Sequence, residues 1–167
     1  MLSKIVLLVF PLLMAFAASS DLLTMRISNR VVMLLAAGFC VAAVLTGMPL
    51  QEFGLHVACA AIVLAVAFAF FSFGWMGGGD AKLAAATALW LGFGMTLPYL
   101  LYASVLGGTL TLSLLSLRRL PLPGFLVRVT WVHRLHDRRT GIPYGIALAI
   151  AGLLSYSNTA IFQQLMG

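Results

Sequence analysis

The chain has 167 residues, 62% of them hydrophobic and 8% charged, with a formal net charge of +6. A water-soluble domain carries roughly 25% charged residues, so this chain lacks the polar surface to cover a soluble globule. It reads as one integral membrane domain, residues 1–167. The positive balance does not indicate nucleic acid, because nine of the ten Lys+Arg fall in short segments between apolar runs, where the positive-inside rule puts them.

A helix needs about 20 predominantly apolar residues to cross a bilayer. The first run is Leu2 to Ser20, with Lys4 snorkelling outward. Its basic start, apolar centre and small residues Ala17-Ala18-Ser19-Ser20 share the format of a signal peptide. It is read as a retained first helix, because the next run follows after only about a dozen residues. The second run is Val31 to Leu50 and the third Phe53 to Met76. A short fourth, Leu83 to Leu97, is expected to end at Pro98. Tyr99 to Leu117 and Ile142 to Phe162 complete the set, so the fold class is all-α, a polytopic membrane protein of about six transmembrane helices.

With that count both termini share the non-cytoplasmic side. Arg26 and Arg30, then Lys82, then the six arginines of Arg118–Gly141 fall on the opposite face, which the charge bias assigns to the cytoplasm. Only Lys4 disagrees. The arginines of the long loop suit anionic membrane lipids, at about 1 kcal/mol per charge near the surface.

Only four Asp+Glu occur in the whole chain. Two of them, Asp21 and Asp80, stand at the ends of apolar runs on the same predicted face. A charge at the centre of a membrane helix costs about 2.5–3.5 kcal/mol, less near the interface, and such residues mark function. As structural alternatives, Asp21 caps the next helix or pairs with Arg26, and Asn29 caps the second span. The run Gly77-Gly78-Gly79 before Asp80 either ends a helix or lets an extended peptide lie against the backbone. Two carboxylates sharing a site titrate as a unit, one protonated and one ionised. That combination suits amide hydrolysis: the ionised member takes a proton from water and the other donates to the substrate. It needs no metal and no cofactor.

Asp21 with Arg26-Ile27-Ser28-Asn29, and Gly77-Gly78-Gly79-Asp80 with Lys82, resemble the two signatures of type IV prepilin peptidases, the GxGD-type membrane aspartic proteases. Ser28 departs from the family pattern, where proline is usual, which loosens the turn after Arg26. Pro143-Tyr144-Gly145 resembles the family's Pro-Tyr-Gly element. The resemblance implies a membrane-embedded endopeptidase that removes the short basic leader from pilin-like precursors at the cytoplasmic face of the bacterial inner membrane. Asp21 and Asp80 would be the catalytic pair. Arg26, Asn29, Gly77, Gly78, Gly79, Lys82, Pro143, Tyr144 and Gly145 would support the site or bind substrate. The short length and the lack of a cysteine-bearing cytoplasmic insertion are similar to the tight-adherence (Flp pilus) subgroup. Its partners would be prepilin and pseudopilin precursors and other pilus-assembly proteins.

The other polar residues read as structural. His133 and His136 beside Asp137 have a spacing that suits a metal, but they sit among six arginines whose charge repels cations. Ser72, Ser104 and Ser113 lack a G-x-S-x-G context. Cys40 and Cys59 are isolated in apolar runs and read as small buried hydrophobes. His56 is expected at the interface, Trp75, Trp90 and Trp131 in packing or headgroup contact, and Gly107-Gly108 at a close helix crossing. The alternative to a peptidase is a small cation- or proton-coupled transporter or channel component that uses Asp21 and Asp80. Its site would lie at mid-bilayer between inverted repeats, and no repeat is visible. A scaffold role leaves the paired acids unexplained.

Overall fold

A computed structural model describes residues 2–124 and 128–166, and the Lys4 side chain lies outside what it describes. The described chain is all-helical. The helices are α1 (Leu2–Thr24), α2 (Asn29–Leu45), α3 (Leu50–Ser72), α4 (Gly78–Leu117), α5 (Thr130–His136), α6 (Gly145–Tyr156) and α7 (Ala160–Met166).

Among the described residues, three helices are long and apolar enough to cross a membrane by length and composition: α1, α3 and α4. The pair α6 and α7, bent by 58° at their junction, makes a fourth if counted as one span. This corrects the expectation of about six. With 17 residues, α2 falls short of the roughly 20 a span needs. The expected fourth and fifth runs are the two halves of α4, which meet at Gly92 and not at Pro98; the proline lies inside the second half.

That element breaks at Gly92 instead, where φ is 61° and ψ −177°, a region essentially reserved for glycine. Contacts along α3 show what the break does. Gly78 lies against Phe71, and His56 Nδ1 is 2.7 Å from the Leu89 carbonyl oxygen, so the first half of α4 runs antiparallel to α3. Beyond the break, Thr96 Oγ1 meets Cys59 Sγ at 3.3 Å. The second half therefore turns back and runs alongside α3. His56 sits in the turn, its ring where a Cβ on Gly92 would go. It fastens this turn.

Most of the core lies on one side of α4. Its first half is rich in alanine: Ala81, Ala84, Ala85, Ala86 and Ala88 are all buried. Small side chains allow helix axes to approach closely where lipid supplies no hydrophobic drive. Around them pack Phe10 and Met14 of α1, Leu35 and Phe39 of α2, and Leu148 and Tyr156 of α6. Trp90 is fully buried, with its ring 5.3 Å from that of Phe10. Its indole N–H donates to the Leu35 carbonyl at 2.9 Å, which satisfies the ring's one polar atom. The outward faces are apolar, as at Phe68 and Phe73, and suit hydrocarbon rather than water; Cys40 is exposed rather than buried, whereas Cys59 is buried as expected.

Candidate active site

Three short segments, far apart in sequence, converge at one end of this core. Asp21 lies in the last turn of α1. Beyond it, Met25 takes a left-handed conformation (φ 56°) that ends the helix. Ser28, not Asn29, caps α2, accepting from the Arg30 N–H; a serine at the family's proline position thus serves as the cap. Asp21 neither caps α2 nor has Arg26 as its partner, since Arg26 is exposed. Its Oδ2 accepts a hydrogen bond from the Gly145 N–H at 2.8 Å.

Gly145 is the first residue of α6. An anion is disfavoured at a helix C-terminus and favoured at an N-terminus. Asp21 therefore sits at the wrong end of α1 and is held by the right end of α6. Asp80 has the complementary arrangement within a single helix. It is the third residue of α4 after the cap Gly77, and its carboxylate turns back over that glycine, where a Cβ would stand 2.8 Å from Oδ2, the position of the acid in a capping box. Each carboxylate thus rests on the start of a helix.

The three glycines open α4 rather than close α3, which ends at Ser72 with Gly74 in the positive-φ position beyond it. Their purpose is close approach. A Cβ on Gly77 would stand 2.8 Å from Asp80 Oδ2, one on Gly78 3.3 Å from the Phe71 ring, and one on Gly79 3.2 Å from Ile27. Ile27 also reaches Gly145, where a Cβ would stand 2.8 Å from its Cδ1. One isoleucine thereby wedges the two acid-bearing segments and the Pro-Tyr-Gly element together. A further tie runs from Lys82 Nζ to Asn29 Oδ1, at 3.0 Å.

Pro143 is fully buried, and Tyr144 reaches across to α4, where its hydroxyl donates to the Ala103 carbonyl at 3.1 Å. Gly107 makes room for it: a Cβ there would fall 2.1 Å from the tyrosine ring, whereas one on Gly108 meets nothing within 4 Å. The glycine pair therefore seats a side chain rather than a helix crossing.

Asp21, Asp80, Gly77 and Tyr144 line one cavity of about 1280 Å³. Arg26, Asn29, Lys82 and Pro143 stand outside the cavity, and Gly78, Gly79 and Gly145 pack behind it. No group of three His, Cys, Asp or Glu that would hold a metal occurs among the described residues.

The sequence reading gave two further buried residues no role of their own in the site. Arg118 is buried and lines the cavity. Its guanidinium donates to the carbonyls of Leu135, Thr140 and Gly141, and so anchors the segment that leads into Pro143. Arg134 bonds the Leu23 carbonyl near the end of α1, and Arg138 bonds that of Arg118. Part of the basic loop therefore braces the site. Tyr99 is fully buried, with a hydroxyl that has no partner among the described residues. Its position directly after Pro98 drew attention to the proline instead.

The family model of the type IV leader peptidases matches residues 8–112, a stretch that holds both acids. The chain belongs to the type IV leader peptidase family. It is a membrane-embedded peptidase, with prepilins as its substrates. Comparison with curated proteins and with solved structures gave no match.

Proposed function

We propose that this family member is an aspartic endopeptidase in which Asp21 and Asp80 form the catalytic pair. It removes the short basic leader from Flp-type prepilins at the cytoplasmic face of the bacterial inner membrane. The observation that carries the reading is that Asp21 and Asp80, on separate helices, line one cavity. Each acid also rests on a helix start that stabilises its charge without removing it from that cavity.

In the reaction, one carboxylate in ionised form takes a proton from water while the other, protonated, donates to the scissile carbonyl or the leaving nitrogen. The roles then reverse. Either aspartate suits either role. Tyr144, Gly77 and Met25 bound the space beside the acids and would position the peptide. Pseudopilins, anionic lipids and other pilus-assembly proteins are further partners on this reading, and the basic loop faces the cytoplasm. Family membership favours hydrolysis over the transporter alternative.

The test is leader removal from a tagged prepilin by purified protein in detergent. Asp21→Asn and Asp80→Asn are each expected to lower the rate by roughly 10³-fold or more, with unchanged accumulation in membranes. Processing at the normal rate by either variant would end the proposal.

A further inference from the structure

The cavity does not stop at the carboxylates. It continues as a groove between α3 and the second half of α4, with one face of each helix as its walls. On α3 the wall runs from Cys59 through Val63 and Ala67 to Phe70. At 1.5 Å per residue that is a depth of about 16 Å, or three helical turns. Opposite stand Leu97 and Leu100.

The groove is apolar even where its residues are not. Thr96 and Ser104 both line it, yet each hydroxyl is turned onto its own helix, bonding the carbonyls of Gly92 and Leu100 at 2.7 Å. The contact of Cys59 with Thr96 brings the two walls together and closes the far end. The other end of the cavity is different. Beyond the acids it is bounded by Arg118, Thr140 and Gly141. One continuous space therefore has a polar end, two carboxylates in the middle and an apolar end.

We propose that the groove between α3 and the second half of α4 binds the substrate chain that follows the scissile bond, as an apolar segment, because the leader before the bond is basic on the peptidase reading. The Cys59–Thr96 contact would limit how deep that segment reaches. A chain cut at the carboxylates must run in both directions from them, and only one direction offers an apolar channel inside the membrane. The inference rests on the peptidase reading and adds to it a subsite. Held as a helix, about eleven residues after the cut fit between the acids and the closed end.

A photo-activated benzophenone side chain at Val66, which lines the groove, tests this in the Asp80→Asn background with a tagged prepilin as the probe. The control is the same group at Leu64, exposed on the other side of α3. The expected adduct forms from position 66 and maps to the apolar segment within about eleven residues of the cut; position 64 yields several-fold less. Adducts with lipid alone, or equal yields from both positions, would overturn the inference. In the otherwise unmodified enzyme, Ala67→Trp should plug the groove and lower processing at least about tenfold, while Leu64→Trp should not. Equal rates for the two would also overturn it. Cleavage by Asp80→Asn itself would defeat the peptidase reading instead, whatever the crosslinks show.

Discussion

The two sides of the first half of α4 are built on different rules. On one side, α1, α2 and α6 close around a run of alanines with an aromatic cluster of Phe10, Trp90 and Tyr156. On the other, α3 buries only Cys59, Val63 and Ala67 of its 23 residues, and its gap to the second half of α4 is open. Both acids are anchored on the closed side and line the cavity on the open side. Rigid support thus comes from one half and space for a substrate from the other, which is how a site keeps its geometry while admitting a large chain.

Removing a large side chain from each half separates the two rules most sharply. Trp90→Ala empties the centre of the cluster and leaves the Leu35 carbonyl without its donor. It should cost about 3–5 kcal/mol of stability. Leu97→Ala acts on a side chain that is 66% exposed and should cost well under about 1 kcal/mol. Unfolding in mixed micelles measures both. Similar losses for the two would show that the open half carries as much of the fold as the closed one.

The parts of this arrangement that were legible in the sequence are those written locally. Asp21, the glycine run with Asp80 and Lys82, and Pro143-Tyr144-Gly145 are short segments whose chemistry can be read in place. Apolar runs were legible as membrane helices, but a run does not say where it bends. Pro98 was expected to be a terminus and is passed through; the chain reverses instead at Gly92, which no local pattern marks, and where His56, 36 residues earlier, leaves no room for a side chain. The bond from the Gly145 amide to Asp21 spans 124 residues, and no periodicity encodes such a pairing. Arg118 was hidden by its own charge. Counted with five other arginines it signals a membrane face, yet its donors go to backbone carbonyls.

Gly107 and Gly108 allow a comparison between adjacent residues on the open half. Gly107→Ala places a methyl group on the Tyr144 ring and must displace it. With Tyr144 moves Gly145, the hydrogen-bond donor to Asp21. A shift of about 1 Å at a reacting group costs roughly 10²-fold in rate, and that loss is expected here with little change in the unfolding midpoint. Gly108→Ala meets nothing within 4 Å and should leave processing within about twofold of the starting rate. Equal effects at both positions would mean that the second half of α4 tolerates no added bulk at all, and that Tyr144 is not the reason.

The smallest effect concerns Lys82, which is set against the Asn29 amide oxygen on α2. Two roles are possible for a cation two residues after Asp80. It acts as a charge upon the carboxylates or the substrate, or it acts as a strut that fixes the start of α4 to the start of α2. Its contact with Asn29 favours the strut, and the side chain does not line the cavity. A strut works only with both ends present. Lys82→Ala and Asn29→Ala should then each slow processing about threefold to tenfold, and the double variant should be no slower than either one. Losses that multiply would instead assign Lys82 an electrostatic role independent of Asn29. Lys82→Arg keeps the charge while changing its reach and geometry, so it should restore the rate in that case and fail to restore it if the strut is what matters.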